Sequence, residues 1–196
     1  MKTLVFATNN AHKLDEARRI LTDYQILSLL DIGFTQDIIE DGDTLEANSA
    51  IKARTIYEFC HTDCFADDTG LEVEALHGAP GVKTARYASP GHDNAANRKK
   101  LLTKLVEVSN RSARFRTVVT LITDSYERQF EGIVNGTITA EEKGNNGFGY
   151  DPIFVPEGYD HTFAELKAEV KNSISHRARA LQKMNDFLQN NIEHKQ

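Results

Sequence analysis

Lys2-Thr3-Leu4-Val5-Phe6-Ala7, followed at once by Thr8-Asn9-Asn10, reads as a short β-prone run that ends in polar side chains able to cap a helix. The helix predicted there carries Leu14, Ala17 and Leu21 on one face. A strand, a polar turn and a helix within twenty residues is the opening unit of an α/β fold. Outward from it the same alternation continues. Tyr24 to Leu30 reads as a second strand, and an acidic turn-like stretch runs from Asp37 to Asp43. A second helix follows, with Asp43 and Glu46 as its capping box and Ile51, Ala53, Ile56 and Phe59 as apolar positions. Asp63 to Ala66 is expected as a short strand that stops at Asp67-Asp68-Thr69-Gly70.

Residues 74 to 93 hold Gly78, Pro80, Gly81, Pro90 and Gly91 and are expected as a long loop. Asn94 to Val108 has a helical pattern. Arg114 to Thr123 and Glu127 to Thr139, split by Asp124-Ser125-Tyr126, predict a long hairpin. A last helix is expected from about Asn172 to Gln189, with Ile174, Ala178, Leu181 and Leu188 on its apolar face.

Composition narrows the function classes. The 196 residues are 40% hydrophobic and 27% charged, which fits a folded domain with a core and leaves little room for a disordered or fibrous reading. A net charge of −6 disfavours broad binding to a nucleic-acid backbone. No apolar run approaches the 18 to 20 or so residues of a membrane span. The start of the chain lacks the pattern of a secretory signal, so a cytoplasmic protein is expected. Cys60 and Cys64, four apart and without a second ligand pair, are expected as reduced, largely buried thiols.

Four polar islands stand at the ends of these elements. Thr8-Asn9-Asn10-Ala11-His12-Lys13 sets a hydroxyl, amides and a lysine at the positive end of a helix, where an anion such as phosphate is favoured; an ordinary helix cap would use the same residues. Asp67 and Asp68 are adjacent carboxylates of the kind that suit Mg²⁺ completed by substrate phosphates, or that take a proton from water; an acidic turn closed by Gly70 is the plainer reading. In Gly147-Phe148-Gly149-Tyr150-Asp151-Pro152 two glycines permit close approach, Phe148 offers a stacking face and Asp151 an acceptor, against a simple glycine turn. Lys171 and Ser175-His176-Arg177 bring cations that can donate to a base carbonyl or a phosphate oxygen, or lie on a solvated helix face.

Taken in order, these stretches resemble the inosine/xanthosine triphosphate pyrophosphatase family, the XTP/dITP diphosphatases. Phe6-Ala7-Thr8-Asn9-Asn10-Ala11-His12-Lys13 is similar to the family's N-terminal (T/S)-x-N-x-x-K element, and Phe65-Ala66-Asp67-Asp68-Thr69-Gly70-Leu71 to its ADD(S/T)GL core. Gly78-Ala79-Pro80-Gly81, Ala85-Arg86-Tyr87, Gly147 to Pro152 and Ser175-His176-Arg177 complete the series over residues 3 to about 188.

The resemblance implies one pyrophosphatase domain over residues 1–196 with an elongated mixed β-sheet, flanking helices and two lobes around a central nucleotide cleft. It also implies a homodimer and Mg²⁺-dependent hydrolysis of deaminated purine triphosphates to monophosphate and pyrophosphate. By it, Asp68 is the general base and a metal-linked carboxylate, with Glu40 and Asp67 as the other metal candidates. Thr8 to Lys13, Lys52, Thr69, Lys171 and Arg177 would hold the nucleotide. Phe148, Gly149, Tyr150, Asp151 and His176 would line the base pocket, and Arg177 with backbone amides near Phe148 would choose the 6-oxo group.

The run Ile39-Glu40-Asp41-Gly42 lacks the first of two glutamates that relatives carry, which leaves Glu40 as the second carboxylate. Ala47 stands where relatives often have another glutamate. A pyrophosphatase for pyrimidine or modified nucleotides and a non-catalytic nucleotide-binding regulator are the competing readings. A P-loop enzyme is excluded for want of G-x-x-x-x-G-K-(S/T).

Overall fold

A computed structural model describes residues 1–193. The elements run β1 (Lys2–Phe6), α1 (Ala11–Ile20), β2 (Tyr24–Leu27), α2 (Leu45–Cys60), β3 (Cys64–Val73), β4 (Pro80–Gly81), α3 (Asn94–Lys104), β5 (Ser112–Ile122), β6 (Glu127–Ile138), β7 (Phe154–Pro156), α4 (Ala168–Ile174) and α5 (His176–Glu193). The strands make one mixed sheet in the order β2-β1-β3-β5-β6-β7, with β4 on β3. β1 lies parallel to β2 and β3, whereas β4 on β3 and β7 on β6 are antiparallel.

The chain forms two compact units. One comprises Met1–Asp68, Thr117–Gly132 and the stretch from His176 onward; the other comprises Thr69–Arg116 and Ile133–Ser175. The first unit follows from the opening run. Successive side chains of a strand point to opposite faces, so an unbroken apolar stretch is a strand buried on both. Leu4 and Phe6 pack with Phe65 against Leu14 and Ala17 of α1 and Leu181 and Met184 of α5. Val5 and Ala7 pack on the opposite side with Cys64, Ala66, and Ala53 and Ile56 of α2. The Phe6 and Phe65 rings stack at 4.3 Å.

Gly132 of β6 admits the start of α5: a Cβ there would lie 1.9 Å from the His176 carbonyl oxygen and 2.6 Å from the Ala180 nitrogen. The second unit centres on Leu71, Val73, Phe115, Phe154 and Phe163, with Leu101 of α3 against them.

Several expectations change. β3 does not end at Ala66 but runs ten residues to Val73, so Asp67 and Asp68 sit inside a strand and not in a turn. Thr44, not Asp43, caps α2, its hydroxyl accepting from the Ala47 N–H at 3.1 Å. Phe59 faces outward, half exposed. The stretch 74–93 is a loop for most of its length, as expected, with only β4 and 3-10 turns at Glu74–Leu76 and Thr84–Arg86. The expected last helix is two, broken at Ser175, whose extended backbone separates α4 from α5. β5 and β6 are sheet neighbours joined through residues 123–126, as the hairpin reading expects. Both cysteines are free thiols; burial pushes Cys64 up to about 12, while Cys60 is only partly covered.

Candidate active site

Because β3 continues through the acidic pair, Asp67 and Asp68 must project to opposite faces of the sheet. Asp67 shares a face with Phe65, on the side of α1 and α5. Asp68 shares a face with Ala66, on the side of α2. Each carboxylate therefore meets its own set of cations.

On the α1/α5 side, Lys13 Nζ donates to Asp67 Oδ1 at 2.9 Å and Arg177 Nε to Asp67 Oδ2 at 2.8 Å. Arg177 Nη1 in turn donates to Glu16 Oε2 at 3.0 Å. Asp67, Arg177 and Glu16 are all buried, so the two cations and two carboxylates form a balanced lattice. Burial works against charge on Asp67, but Lys13, then Arg177 and Lys52, outweigh it and hold the carboxyl far below the usual aspartate range. Burial likewise opposes the Arg177 charge, and Asp67 and Glu16 overcome it. Lys13 goes the other way: burial lowers it, helped by Arg177 and Lys52 and opposed by Asp67.

On the α2 side, Lys52 Nζ lies 2.9 Å from Glu40 Oε2 and 3.4 Å from Asp68 Oδ1. Glu40 reaches it from the acidic turn, which is pinned where the Gly42 N–H donates to buried Asn48 Oδ1 at 2.9 Å. A side chain at Gly42 would meet the Ala47 Cβ and Asn48 Oδ1 at 2.7 Å. Asp68 differs from its neighbour: burial raises its carboxyl, Lys52 opposes this, and Glu40 and Asp67 add to the rise. Its Oδ2 is buried with no hydrogen-bond partner among the described residues. Burial depresses Lys52, but Asp68, Asp67 and Glu40 more than compensate.

The opening island is mostly spent on local structure. Thr8 Oγ1 accepts from the Asn10 N–H at 3.1 Å, Asn10 Oδ1 caps α1 through the Lys13 N–H at 3.2 Å, and Asn9 Oδ1 holds the Leu30 N–H at 2.9 Å. Asn9, Asn10, Ala11 and His12 are exposed at the start of α1.

In the second unit Asp151 is buried and folds its own loop. It accepts from the Phe148 N–H at 2.8 Å and pairs with Lys171, whose ammonium lies 4.9 Å from the Phe148 ring centroid. Gly147 and Gly149 have φ of +76° and +62°, which glycine takes without strain. Tyr150 donates its hydroxyl to the Thr84 carbonyl at 2.8 Å. A separate cavity of about 650 Å³ in this unit, lined by Glu72, Glu74, Arg114 and Tyr159 among others, contains none of the expected site residues.

Three of the expected residues already have protein partners. Both Asp67 oxygens face cations, Lys13 and Arg177. The Arg177 guanidinium pairs with Asp67 and Glu16. Lys171 and the Phe148 amide share the Asp151 carboxylate.

The island from Lys171 to Arg177 also divides. Lys171 goes to the aromatic loop of the second unit, while His176 and Arg177 open α5 in the first. Thr69 follows Asp68 in β3, half-buried. Glu16 and Asn48 are absent from the sequence-based set. Glu16 could have been found as the acid of the pair Asp15-Glu16 that stands three residues after Lys13, beside the apolar positions Leu14 and Ala17.

Among the described residues no three His, Cys, Asp or Glu side chains cluster into a ready metal cage. Mg²⁺ usually needs only one or two carboxylates beside substrate phosphates. Glu40 and Asp68, with an orphaned buried Asp68 oxygen, fit that lesser demand.

The Ham1 family model matches residues 4–187. The chain is 51% identical over 190 residues to a dITP/XTP pyrophosphatase of Porphyromonas gingivalis, covering 96% of this chain and 98% of that protein. It is 50% identical over 186 residues to one of Flavobacterium johnsoniae, covering 94% and 97%. Among solved structures it superposes on the Ham1 protein of Staphylococcus aureus with a TM-score of 0.90 at 37% identity, covering 97% of this chain and all of that one. A HAM1 protein of Coxiella burnetii gives 0.90 at 36% over the same shares.

Proposed function

The chain belongs to the Ham1 family, and on that premise we propose that it hydrolyses deaminated purine nucleoside triphosphates, ITP, dITP and XTP, to monophosphate and pyrophosphate. The observation that carries the reading is Asp68: a mostly covered carboxyl raised above the ordinary range, with one buried oxygen unpartnered among the described residues, facing Lys52 and Glu40. A carboxylate so placed is a base tuned toward neutrality, and it can release a proton again after accepting one.

Water attacks the α-phosphorus, and Asp68 Oδ2 receives its proton. The bond from the α-phosphorus to the oxygen bridging to the β-phosphorus breaks, and pyrophosphate leaves with that oxygen. Lys52 and Lys13 stabilise the negative charge that spreads over the phosphate oxygens. Asp67, clamped by Arg177, orients the Lys13 ammonium. Glu40 and Asp68 would hold Mg²⁺, which when bound neutralises phosphate charge and acidifies water. Phe148 would stack on the base, with Lys171 and Asp151 fixing its ring.

The homodimer and the cytoplasmic setting belong to the same proposal. The family resemblance supports the first. The second is supported by two free thiols and by a substrate class drawn from the nucleotide pool. No helix among the described residues is long and apolar enough to cross a membrane.

The test is pyrophosphate release from ITP, XTP, GTP, ATP, dUTP and methylated nucleotides, with and without Mg²⁺. Turnover of ITP and XTP far above the rest, and only with Mg²⁺, supports the reading. Preference for dUTP or a methylated nucleotide would assign a different substrate, and binding without turnover a regulator.

A further inference from the structure

The aromatic loop runs from Gly147 to Asp151. Two of its five residues, Gly147 and Gly149, take left-handed backbone, a conformation glycine adopts with no preference for keeping it. The Asp151 carboxylate closes the loop on the Phe148 amide, and the Tyr150 hydroxyl ties it to the Thr84 carbonyl. Two side chains reach in from helices: Lys171 of α4 pairs with Asp151, and Arg98 of α3 holds the backbone. Arg98 of α3 donates through Nη1 to the Gly149 carbonyl at 2.8 Å. Its Nε lies 2.9 Å from Glu142 Oε1 on the chain leading into the loop, an ion pair too poorly aligned to count as a hydrogen bond. The Arg98 side chain is mostly covered, while Glu142 is largely exposed.

The helix bearing Arg98 is itself anchored. Buried Asn97 accepts from the Ala88 N–H at 2.7 Å and donates to the Ala85 carbonyl at 2.9 Å. Lys100 donates to the Tyr87 carbonyl at 2.6 Å. α3 therefore holds the stretch 84–88 with Asn97 and Lys100, and the aromatic loop with Arg98. Thr84, at the start of that stretch, accepts from the Tyr150 hydroxyl through its carbonyl, which closes the frame. A charge-assisted bond to a partly covered carbonyl is stronger than a neutral one, and Lys171 already holds Asp151 at the far end of the loop, so Arg98 is the charged tie on the Gly149 backbone between the two glycines.

We propose that Arg98 is a positioning residue for nucleotide binding, holding Gly147–Asp151 in the conformation that presents the Phe148 ring to the base. This rests on the function proposed above, in which Phe148 receives the base. Arg98 acts through the Gly149 carbonyl and takes no part in the chemistry at Asp68.

Hydrogen–deuterium exchange of the nucleotide-free full chain tests it without reference to turnover. Arg98→Met should speed exchange of the amides from 147 to 151, Phe148 above all, and leave those of β1 unchanged. In steady-state assays with ITP and Mg²⁺ the same variant should raise KM by on the order of tenfold with kcat held, the scale of one charge-assisted hydrogen bond. Arg98→Lys, which keeps the charge but offers a single compact donor, should recover part of the loss. If Arg98→Met fails to fold, Arg98→Lys alone must show the same changes at smaller size. Unchanged exchange in the loop, or a fall in kcat at constant KM, overturns the proposal. A wild-type chain that does not hydrolyse ITP defeats the functional reading instead, and the exchange result still decides whether Arg98 holds the loop.

Discussion

Asp67 and Arg177, 110 residues apart in the chain, meet at 2.8 Å, the guanidinium Nε donating to Oδ2 of a carboxylate whose other oxygen is taken by Lys13. Beside them Asp68 points the other way, to Lys52. Two adjacent acids with the same chemistry thus have different work: one is fixed as a permanent anion that organises cations, and the other is kept basic.

Asp68→Asn keeps the shape of the side chain and removes its ability to accept a proton. Turnover of ITP should fall by roughly 10² or more, the usual scale for a lost general base. The variant should melt no lower than wild type, since burial already disfavours the charge. Near-normal kcat at saturating Mg²⁺ would remove Asp68 from the mechanism.

Arg177 contacts Asp67 and Glu16, so Arg177→Ala should lower kcat/KM for ITP and for ATP by the same factor. The ratio of the two rates is the quantity to measure. A loss confined to ITP would return Arg177 to the base-discriminating role that its motif suggests.

Glu16 is buried and balances a buried guanidinium. Glu16→Ala leaves that charge short of a partner and should cost about 3 kcal/mol of stability in urea unfolding. A midpoint within error of wild type would mean the lattice does not depend on it.

The pH dependence separates the acidic pair. Asp67 is depressed in the folded chain, so its contribution to stability is complete above the unfolded aspartate value near 3.9 and is given up as pH falls below that toward the folded value. The stability gap between wild type and Asp67→Asn should therefore be widest near neutrality and close in acid. Asp68 is raised, so it favours the folded state in acid and that advantage is lost as pH rises through its folded value. Asp68→Asn should remove this contribution, and the acid limb of kcat/KM should lie above the ordinary aspartate range. Parallel stability profiles for the two Asn variants would contradict the assignment.

Much of this was legible in the sequence, and the limits have physical causes. The unbroken apolar run at Leu4–Ala7 reads as a short strand, and Thr8-Asn9-Asn10 announces the helix behind it. Glu40, Lys52 and Asp68, each named from the sequence, lie together in the structure. What failed was the end of β3. Asp-Asp-Thr-Gly reads locally as a turn because Asp and Gly favour turns, yet tertiary pairing keeps it extended to Val73. That single difference decides which face each acid takes, and with it the partners of Arg177. Glu16 does not stand out in the sequence because an acid on a helix, here next to Asp15, is ordinarily solvated, and only Arg177 of α5, distant in sequence, gives it a buried partner.

The most direct test of the central claim is hydrolysis of ITP in ¹⁸O-labelled water with Mg²⁺, followed by mass spectrometry of the products. Attack at the α-phosphorus predicts one labelled oxygen in the monophosphate and none in the pyrophosphate. Label in pyrophosphate or in orthophosphate would show attack elsewhere and contradict the account.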